Sequence, residues 1–262
     1  LVNNSTTALP AKSVKYVALG GSHSAAITKD GSLYIWGWNN YGQLGDGTTT
    51  GRYTPIKIMD NVASVSLGNS HSAAITKDGS LYMWGYNGNG KLGDGTTTDR
   101  YTPVKIMDNV ASANLGDDHS AAITKDGSLY MWGSNYYGQL GDGTTTDRYT
   151  PVKIMDNVAS ANLGDDHSAA ITKDGSLYMW GKNDCGQLGD GTTDNKTNKT
   201  RPHRVASNVQ SVELGDVHTT VISKDGGLYT WGYNYYGQLG NGTTTKSSNP
   251  IKIMNDVVSC AG

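Results

Sequence analysis

Short apolar stretches alternate with polar turns along the chain, and the pattern returns at a fixed interval. One copy, at 119–133, reads His-Ser-Ala-Ala-Ile-Thr-Lys-Asp-Gly-Ser-Leu-Tyr-Met-Trp-Gly. Its two apolar runs, one with small and one with large side chains, predict two β-strands because turn residues bound them. The Asp-Gly between them predicts a tight two-residue hairpin turn that uses positive φ angles. No segment shows the period of an amphipathic helix.

The histidine and the tryptophan of this pattern recur with steps of 48, 48, 48 and 51 residues. They are His23, His71, His119, His167 and His218, and Trp36, Trp84, Trp132, Trp180 and Trp231. Such a period predicts stacked or radial repeats, whose copies bury a core only by packing on one another. The first copy has predicted strands at 14–20, 23–28, 32–36 and 55–59, which indicates an all-β fold, a β-propeller of four-stranded antiparallel blades. A β-solenoid is the alternative, but its parallel strands do not fit the Asp-Gly hairpins.

The repeat divides the chain into a flexible leader at 1–13 and a propeller domain at 14–262. Five repeats fall near 14–61, 62–109, 110–157, 158–208 and 209–256, and 257–262 repeats the first strand of a sixth as an extra C-terminal strand. Pro55 and its counterparts are expected to open the fourth strand, where a missing N–H does least harm. The chain starts at Leu1 without a signal-like apolar segment, so we expect a mature or excised piece of a longer protein. Whether five blades close into a ring stays open.

Composition narrows the classes of partner. The formal net charge is −2 and the pI is near 6.3, so the clustered positive charge that nucleic acids require is absent and we expect no nucleic-acid partner. No apolar run approaches the length of a membrane span, so we expect no membrane insertion. Cys185 and Cys260 stand in no CxxC or Cys/His spacing and predict neither a disulfide framework nor a metal site.

The repeated histidines predict structure rather than catalysis, because an enzyme needs one site and not one per copy. Neighbouring His and Ser on a strand point to opposite faces and cannot act as a catalytic pair. We expect each imidazole to bond neighbouring backbone. The Leu-Gly-Asp-Gly-Thr segments lack the alternating acidic ligands of a calcium loop, so a Gly-rich turn with Asp and Thr bonded to backbone is expected. The sequence predicts no catalytic residue, no metal ligand and no cofactor.

The residues Gly-x-x-His-Ser-x-Ala-Ile-Thr-x-x-Gly-x-Leu-Tyr-x-Trp-Gly-x-Asn-x-x-Gly-Gln-Leu-Gly resemble the regulator of chromosome condensation repeat. The resemblance runs from about Val14 to the end of the chain. It implies a β-propeller, most often seven-bladed in that family. Family members include a nuclear guanine-nucleotide exchange factor, a plant ultraviolet-B photoreceptor and a secreted bacterial inhibitor of β-lactamases. The photoreceptor's Gly-Trp-Arg-His-Thr signature and the exchange factor's extra hairpin are missing here, so neither activity is expected to carry over.

The copies differ mainly in two loops, one before each histidine and one after each Trp-Gly. In an antiparallel meander the loops after the first and third strands emerge at the same end, so both share one face of the propeller. Tyr and Trp give large contact area at low entropy cost, which predicts a protein-binding face, with aspartates setting its charge preference. Drift of loop tips is the alternative. The predicted partner-binding residues are Trp38, Tyr41, Tyr86, Asn89, Asp117, Asp118, Tyr136, Tyr137, Asp165, Asp166, Tyr233, Tyr235 and Tyr236.

The first functional hypothesis is a non-enzymatic protein-interaction module, bacterial and part of a secreted or surface protein, that binds an unidentified protein partner through this face. A carbohydrate-binding adhesin is the second, because flat aromatic rings stack on sugars. A structural repeat spacer of a larger surface protein is the third, and intracellular exchange-factor activity is a distant fourth. The expected location is extracellular or at the cell surface, with the cytoplasm as the alternative.

Overall fold

A computed structural model describes residues 13–259, which form twenty strands in five four-stranded antiparallel sheets. Each sheet takes four consecutive strands in chain order, and we call the sheets blades 1 to 5. Blade 1 contains β1 to β4 at Val14–Leu19, His23–Thr28, Leu33–Gly37 and Arg52–Met59, and blade 2 contains β5 to β8 at Val62–Leu67, His71–Thr76, Leu81–Gly85 and Arg100–Met107. Blade 3 contains β9 to β12 at Val110–Leu115, His119–Thr124, Leu129–Gly133 and Arg148–Met155, and blade 4 contains β13 to β16 at Val158–Leu163, His167–Thr172, Leu177–Gly181 and Lys199–Ala206. Blade 5 contains β17 to β20 at Val209–Leu214, His218–Ser223, Leu228–Gly232 and Ser247–Met254. Two short 3-10 helices lie at Gly88–Gly90 and Asn195–Thr197.

The blades are arranged around a common axis. The first strands of all five blades end at one central cavity of about 430 Å³. The leucines that end these strands line it, namely Leu19, Leu67, Leu115, Leu163 and Leu214. A sheet that repeats radially with its first strand at the centre is a propeller blade. The predicted all-β propeller of four-stranded antiparallel blades is therefore confirmed.

Two predicted segments fall largely outside residues 13–259. Nearly all of the leader at 1–13 lies there, and so do Cys260 and the second half of the predicted sixth-copy strand. The described part of that strand, at 257–259, has no strand conformation.

Neighbouring blades pack sheet face against sheet face. Between blades 2 and 3, a row of buried aliphatic side chains from one sheet packs against valine, alanine and tryptophan from the next. This cluster consists of Ala73, Ile75, Leu81, Met83, Leu92, Val110, Ala113, Ala122 and Trp132. Three further clusters of the same make-up join the other neighbours. Burial of each large side chain stabilises the fold by about 2 kcal/mol. The apolar contacts between neighbouring repeats therefore stabilise the fold, because one repeat is too small to bury a core of its own.

A buried set of hydrogen bonds, which we call the clasp, joins each blade to the next. In the clasp between blades 2 and 3, His71 Nε2 lies 3.2 Å from Ser120 Oγ, and that hydroxyl donates to the carbonyl of Lys91 at 2.8 Å. The indole N–H of Trp132 donates to the same carbonyl at 2.8 Å. The other clasps are formed by His23, Ser72, Gln43 and Trp84, by His119, Ser168, Gln139 and Trp180, and by His167, Thr219, Gln187 and Trp231.

The clasp corrects the expectation that the histidines bond backbone. Because the single hydroxyl proton of Ser120 goes to a carbonyl, the hydroxyl accepts from His71, so Nε2 carries the proton of a neutral ring. Nδ1 has no hydrogen-bond partner in the part of the chain that the structure describes. Burial lowers the pKa of His119 to about 4 and that of His167 to about 3, which keeps the rings neutral. A structural role of the repeated histidines fits this geometry. The acceptor of each imidazole proton is, however, a side chain of the next blade and not neighbouring backbone.

The turns and the fourth strands differ from the sequence predictions in detail. Gly31 N donates to Thr28 O at 2.8 Å and Thr28 N to Ser32 O at 3.0 Å, which encloses a three-residue loop instead of a two-residue turn. Only the glycine of the Asp-Gly pair has positive φ, at 91°. The fourth strand begins three residues before Pro55, because Arg52 pairs with Gly37. Pro55 lies where the pairing register shifts, so its missing N–H breaks no ladder bond.

Candidate interaction face

Two loops of each blade emerge on one side of the propeller. The loop between first and second strands leads to the histidine, and the loop between third and fourth strands follows Trp-Gly. Because the strands alternate in direction, both loops lie at the same end of the blade, and the three-residue Gly turns lie at the other. All of the predicted partner-binding residues lie in these two sets of loops.

A buried asparagine holds the loop between third and fourth strands in one shape. In blade 2 the side chain of Asn87 is fully buried, and its Nδ2 donates to the carbonyls of Thr96 at 3.1 Å and Thr98 at 3.0 Å. Its Oδ1 accepts from Leu92 N at 2.9 Å. An asparagine occupies this position in every blade, namely Asn39, Asn87, Asn135, Asn183 and Asn234. Side chains at the loop tip therefore stand on a preorganised scaffold.

The repeated Asp-Gly-Thr segment completes the scaffold. Asp94 Oδ1 accepts from Thr96 N at 3.0 Å and from Thr96 Oγ1 at 2.8 Å, and Arg100 pairs with Oδ2 at 2.5 Å. Burial raises the pKa of Asp94, but the bonds from Thr96 and Arg100 outweigh burial and hold its pKa below the usual range. The prediction of a Gly-rich turn with Asp and Thr bonded to backbone is confirmed. The carboxylate is fully engaged within the loop.

Three groups of aromatic side chains cap the scaffold on this side. The first cluster is Trp38, Tyr41 and Tyr86, with ring centroids of Trp38 and Tyr41 5.3 Å apart and those of Tyr41 and Tyr86 4.8 Å apart. Tyr41 belongs to blade 1 and Tyr86 to blade 2, so this cluster bridges the two blades. Trp38 and Tyr41 are nevertheless more than a third exposed.

The second cluster is Tyr136 and Tyr137 on blade 3, and the third is Tyr233, Tyr235 and Tyr236 on blade 5. Tyr136 is 74% exposed and Tyr236 is 82% exposed. The rings within each cluster meet mainly edge to face, with centroids 4.8 Å apart for Tyr136 and Tyr137 and 5.1 Å apart for Tyr235 and Tyr236. Such contacts fix the rings against one another while leaving their outer surfaces open.

Two lysines that the sequence analysis did not select hold this face together. Lys91 is nearly fully buried, and its Nζ lies 4.7 Å from the ring centroid of Tyr86 and 2.5 Å from Asp118 Oδ1. Lys182 Nζ lies 4.6 Å from the ring centroid of Tyr137 and 3.4 Å from Asp166 Oδ2. Each lysine thus links an aromatic ring to an aspartate across a blade boundary. The signal for Lys91 was present in the sequence, since lysine replaces the glutamine of Gly-Gln-Leu-Gly in that copy alone.

Aspartates from three successive blades line the central cavity on the same side. Asp117, Asp165 and Asp216 follow the first strands of blades 3, 4 and 5, and their carboxylates have no hydrogen bond or ion pair within residues 13–259. Burial and the charges of Asp216 and Asp117 raise the pKa of Asp165 to about 6. Burial and the charge of Asp118 raise the pKa of Asp117. The mouth of the cavity therefore carries negative charge that the nearby Lys91 and Lys182 offset only in part.

Some of the predicted partner-binding residues lie together in the structure, and others do not. The eight aromatic residues form the three clusters, and Asp117 and Asp165 reach the cavity. Asp118 and Asp166 are instead paired with lysines. Asn89 is exposed with a φ of 59° in the short helix of blade 2, and no ring contact reaches it within the described residues. Asp216 was missed, although it occupies the position of Asp117 and Asp165 in its copy.

Among residues 13–259, no group of three or more His, Cys, Asp or Glu side chains could hold a metal ion. None of the helices in that part of the chain has the length and apolar character to cross a bilayer. Cys185 carries a free thiol, and burial raises its pKa.

The blades repeat around a central cavity, and their variable loops lie on one side of it. The chain is therefore a repeat β-propeller whose copies differ mainly in the surface that these loops form. The family model of the RCC1-like domain matches residues 2–262 of this chain. The chain therefore belongs to the RCC1-like domain family, as the resemblance of its repeats implied.

Known proteins share single repeats with this chain. The ultraviolet-B receptor UVR8 of Arabidopsis thaliana is 51% identical over 45 residues, which is 17% of this chain and 10% of the receptor. The E3 ubiquitin-protein ligase HERC2 of Homo sapiens is 44% identical over 54 residues, which is 20% of this chain and 1% of the ligase. The chain thus matches a tenth or less of the length of these relatives.

Solved structures share the fold of nearly the whole of this chain, which spans about two thirds of each of them. Human WBSCR16 superposes with a TM-score of 0.80 and 24% identity, over 92% of this chain and 67% of that one. Prp20p of Saccharomyces cerevisiae, whose structure was described together with its binding to Gsp1p and histones, superposes with a TM-score of 0.77 and 26% identity, over 92% of this chain and 63% of that one. Such a propeller is compatible with a protein-interaction module.

Proposed function

We propose that this chain is a non-enzymatic interaction module that binds a protein partner through the side of the propeller that carries the three aromatic clusters. The observation that carries the proposal is the presence of these exposed clusters on one side, on loops that buried asparagines hold rigid. Exposed aromatic groups of this size are unusual on a surface without a partner.

The physical chemistry of the face favours a protein partner. Tyr and Trp dominate the energy of protein interfaces because they bury large area with few rotatable bonds. The rings of Tyr136, Tyr235 and Tyr236 are more than half exposed, so a partner can still bury most of their area. Preorganised loops reduce the entropy that association costs.

The free carboxylates at the cavity mouth add a preference for charge. Asp117, Asp165 and Asp216 lack partners within residues 13–259. A lysine or arginine of the partner that reached the mouth would relieve their mutual repulsion, which favours a cationic segment beside the aromatic contacts. The same negative charge argues against a nucleic acid as the partner.

The relatives support a protein partner in general terms. Prp20p, the yeast RCC1, is described with binding to Gsp1p and histones, and it has also been solved bound to Kap60. We extend only the class of partner to this chain. A secreted or surface location remains part of the proposal, and detection of the native protein by surface proteolysis of intact cells would test it.

The proposal is tested by affinity capture from extracellular and cellular extracts, with mass spectrometry of the retained proteins. The immobilised chain is compared with a variant that combines Tyr136→Ala, Tyr137→Ala and Tyr235→Ala. Tyr53→Ala is the matched control, because Tyr53 is fully exposed on the outer strand of blade 1 and belongs to none of the clusters. We expect a protein that the unmodified chain and the control retain and the triple variant loses.

Two outcomes would contradict the proposal. Equal capture by the triple variant, with its circular dichroism unchanged, would remove the aromatic face from the binding surface. Binding of the same variants to a glycan array, with loss only in the triple variant and no protein captured, would assign the face to a carbohydrate.

A further inference from the structure

Blade 2 shows how an ammonium group is held on the aromatic side of the propeller. Lys91 Nζ lies 4.7 Å from the ring centroid of Tyr86, and it donates to Asp118 Oδ1 at 2.5 Å and to the carbonyl of Asp117 at 2.7 Å. The lysine is nearly fully buried. A ring face and a carboxylate therefore share one cation here, and each of them stabilises its charge.

Blade 4 contributes a different lysine to the same kind of site. Lys182 Nζ lies 4.6 Å from the ring centroid of Tyr137 and 3.4 Å from Asp166 Oδ2. Two loops of different sequence thus place an ammonium group against a tyrosine and an aspartate. The same two groups attract an ammonium group from outside where the loops provide no lysine of their own.

Blade 5 has the ring and the carboxylate but not the lysine. Tyr233 occupies the position of Tyr86, and Gln238 occupies the position of Lys91. Asp216 lies on the neighbouring loop of the same blade, and its carboxylate has no hydrogen bond or ion pair within the described part of the chain. Among the five copies, only this one combines an aromatic residue, a glutamine and an aspartate at these three positions.

These groups of blade 5 face one pocket. Tyr233, Tyr236, Asp216 and Gln238 belong to the lining of a pocket of about 230 Å³. The ring centroids of Tyr233 and Tyr236 lie 6.4 Å apart and their planes meet at 73°, so the two rings form a corner. Asp216 carries the charge of this lining, because burial lowers the pKa of His218 and keeps its ring neutral. The pocket holds an ammonium group with its methylene groups, since a water molecule takes about 30 Å³.

We propose that this pocket binds the ammonium group of a lysine that the protein partner presents, with the charge held by the ring of Tyr233 and the carboxylate of Asp216. The inference rests on the proposed function, because the partner supplies the lysine. A lysine is favoured over an arginine because the two cations already held by tyrosine and aspartate on this side are lysines. An anionic group would be repelled by Asp216.

Titration with a small lysine probe tests the pocket without any partner. The chain, labelled with ¹³C in its tyrosine rings, is titrated with Nα-acetyl-lysine methylamide and followed by NMR. We expect saturable shifts at Tyr233 and Tyr236, and none at Tyr86, whose ring already faces Lys91. The neutral control Nα,Nε-diacetyl-lysine methylamide should cause no such shifts. Asp216→Asn should weaken binding of the lysine probe roughly fivefold.

Gln238→Lys tests the pocket from within, because it gives blade 5 the lysine that blade 2 has. Gln139→Lys is the matched control, since it adds the same charge at the same position of blade 3, where Ser134 stands in place of Tyr233. We expect Gln238→Lys to abolish the probe shifts and to weaken binding of the captured protein about tenfold. Gln139→Lys should change both by no more than about twofold.

The results separate the pocket from the proposed function. Equal shifts with the charged and the neutral probe, or probe binding that survives Gln238→Lys, would overturn the proposal. Tighter binding of tetramethylammonium than of the lysine probe would assign the pocket to a quaternary ammonium group and overturn it as well. Probe binding as expected, with no protein captured by the chain, would support the pocket and contradict the proposed function.

Discussion

Ser120→Ala is the change that most directly tests the clasp. Ser120 and His71 are fully buried, and the hydroxyl joins the imidazole to the carbonyl of Lys91. Its removal leaves the Nε2 proton of His71 without an acceptor in a site that water does not reach. A buried donor without a partner costs about 1–3 kcal/mol, to which the lost bond to the carbonyl adds about 1 kcal/mol. We therefore expect a loss of about 3 kcal/mol in the free energy of unfolding.

Urea denaturation followed by tryptophan fluorescence measures this loss. At a slope of about 2–3 kcal/mol per M, the transition of Ser120→Ala should move down by about 1 M. Hydrogen exchange at the amides of His71–Thr76 and His119–Thr124 reports the effect locally, because arrays of repeats also open in parts. Ser120→Thr should retain most of the stability, since Thr219 forms the same bond to Gln187 O at 2.8 Å.

Ser24→Ala is the matched control. Ser24 occupies the same His-Ser-Ala-Ala-Ile-Thr segment in blade 1, but it has no hydrogen bond within residues 13–259. We expect its removal to change the free energy of unfolding by no more than about 0.5 kcal/mol. A cost for Ser24→Ala equal to that of Ser120→Ala would refute the reasoning, because the hydroxyl would then act within its own blade.

Three further predictions follow from the same contacts. Gly93→Ala should cost about 1–3 kcal/mol more than Gly95→Ala in urea denaturation, because a Cβ at Gly93 would lie 2.8 Å from Trp132 Nε1 whereas one at Gly95 meets nothing within 3.4 Å, although both have positive φ. Burial lowers the pKa of His167 to about 3, so the unfolded chain binds more protons than the folded chain between that pH and about 6.5. The melting temperature should therefore decrease as the pH is lowered through this window, and His167→Gln should make the decrease smaller. The pKa of Asp165 is raised to about 6, so the folded chain binds more protons than the unfolded chain between about pH 4 and pH 6. Asp165→Asn should therefore melt above the parent at pH 7 and level with it below about pH 3.

Much of the fold could be predicted from the sequence because the repeat constrains it at every copy. The period of the histidine and tryptophan set the number of blades, and alternating runs set the antiparallel strands. The start of the fourth strand could not be predicted, since it depends on Arg52 pairing with Gly37 across the sheet. The hairpin turn was assigned one residue too short, because Asp-Gly suits either loop length and the bond from Thr28 N to Ser32 O decides between them.

The candidate face could be located from the sequence, but its internal contacts could not. Strand direction alone places both variable loops on one side. The pairing of Asp118 with Lys91 depends on how blade 3 sits beside blade 2, and no pattern within one copy contains it. The acceptor of His71 likewise lies 49 residues away in the next blade. Asp216 could have been found, since its copy aligns with those of Asp117 and Asp165.

The measurement that tests the proposed function most directly is hydrogen exchange of the chain with and without the captured protein, read by mass spectrometry. Binding through the aromatic face predicts slower exchange in the loops at 38–51, 86–99, 134–147 and 233–246, with the turns at 29–31, 77–79, 125–127, 173–175 and 224–226 unchanged. Protection confined to the turns would contradict the account, because these lie on the opposite side of the propeller.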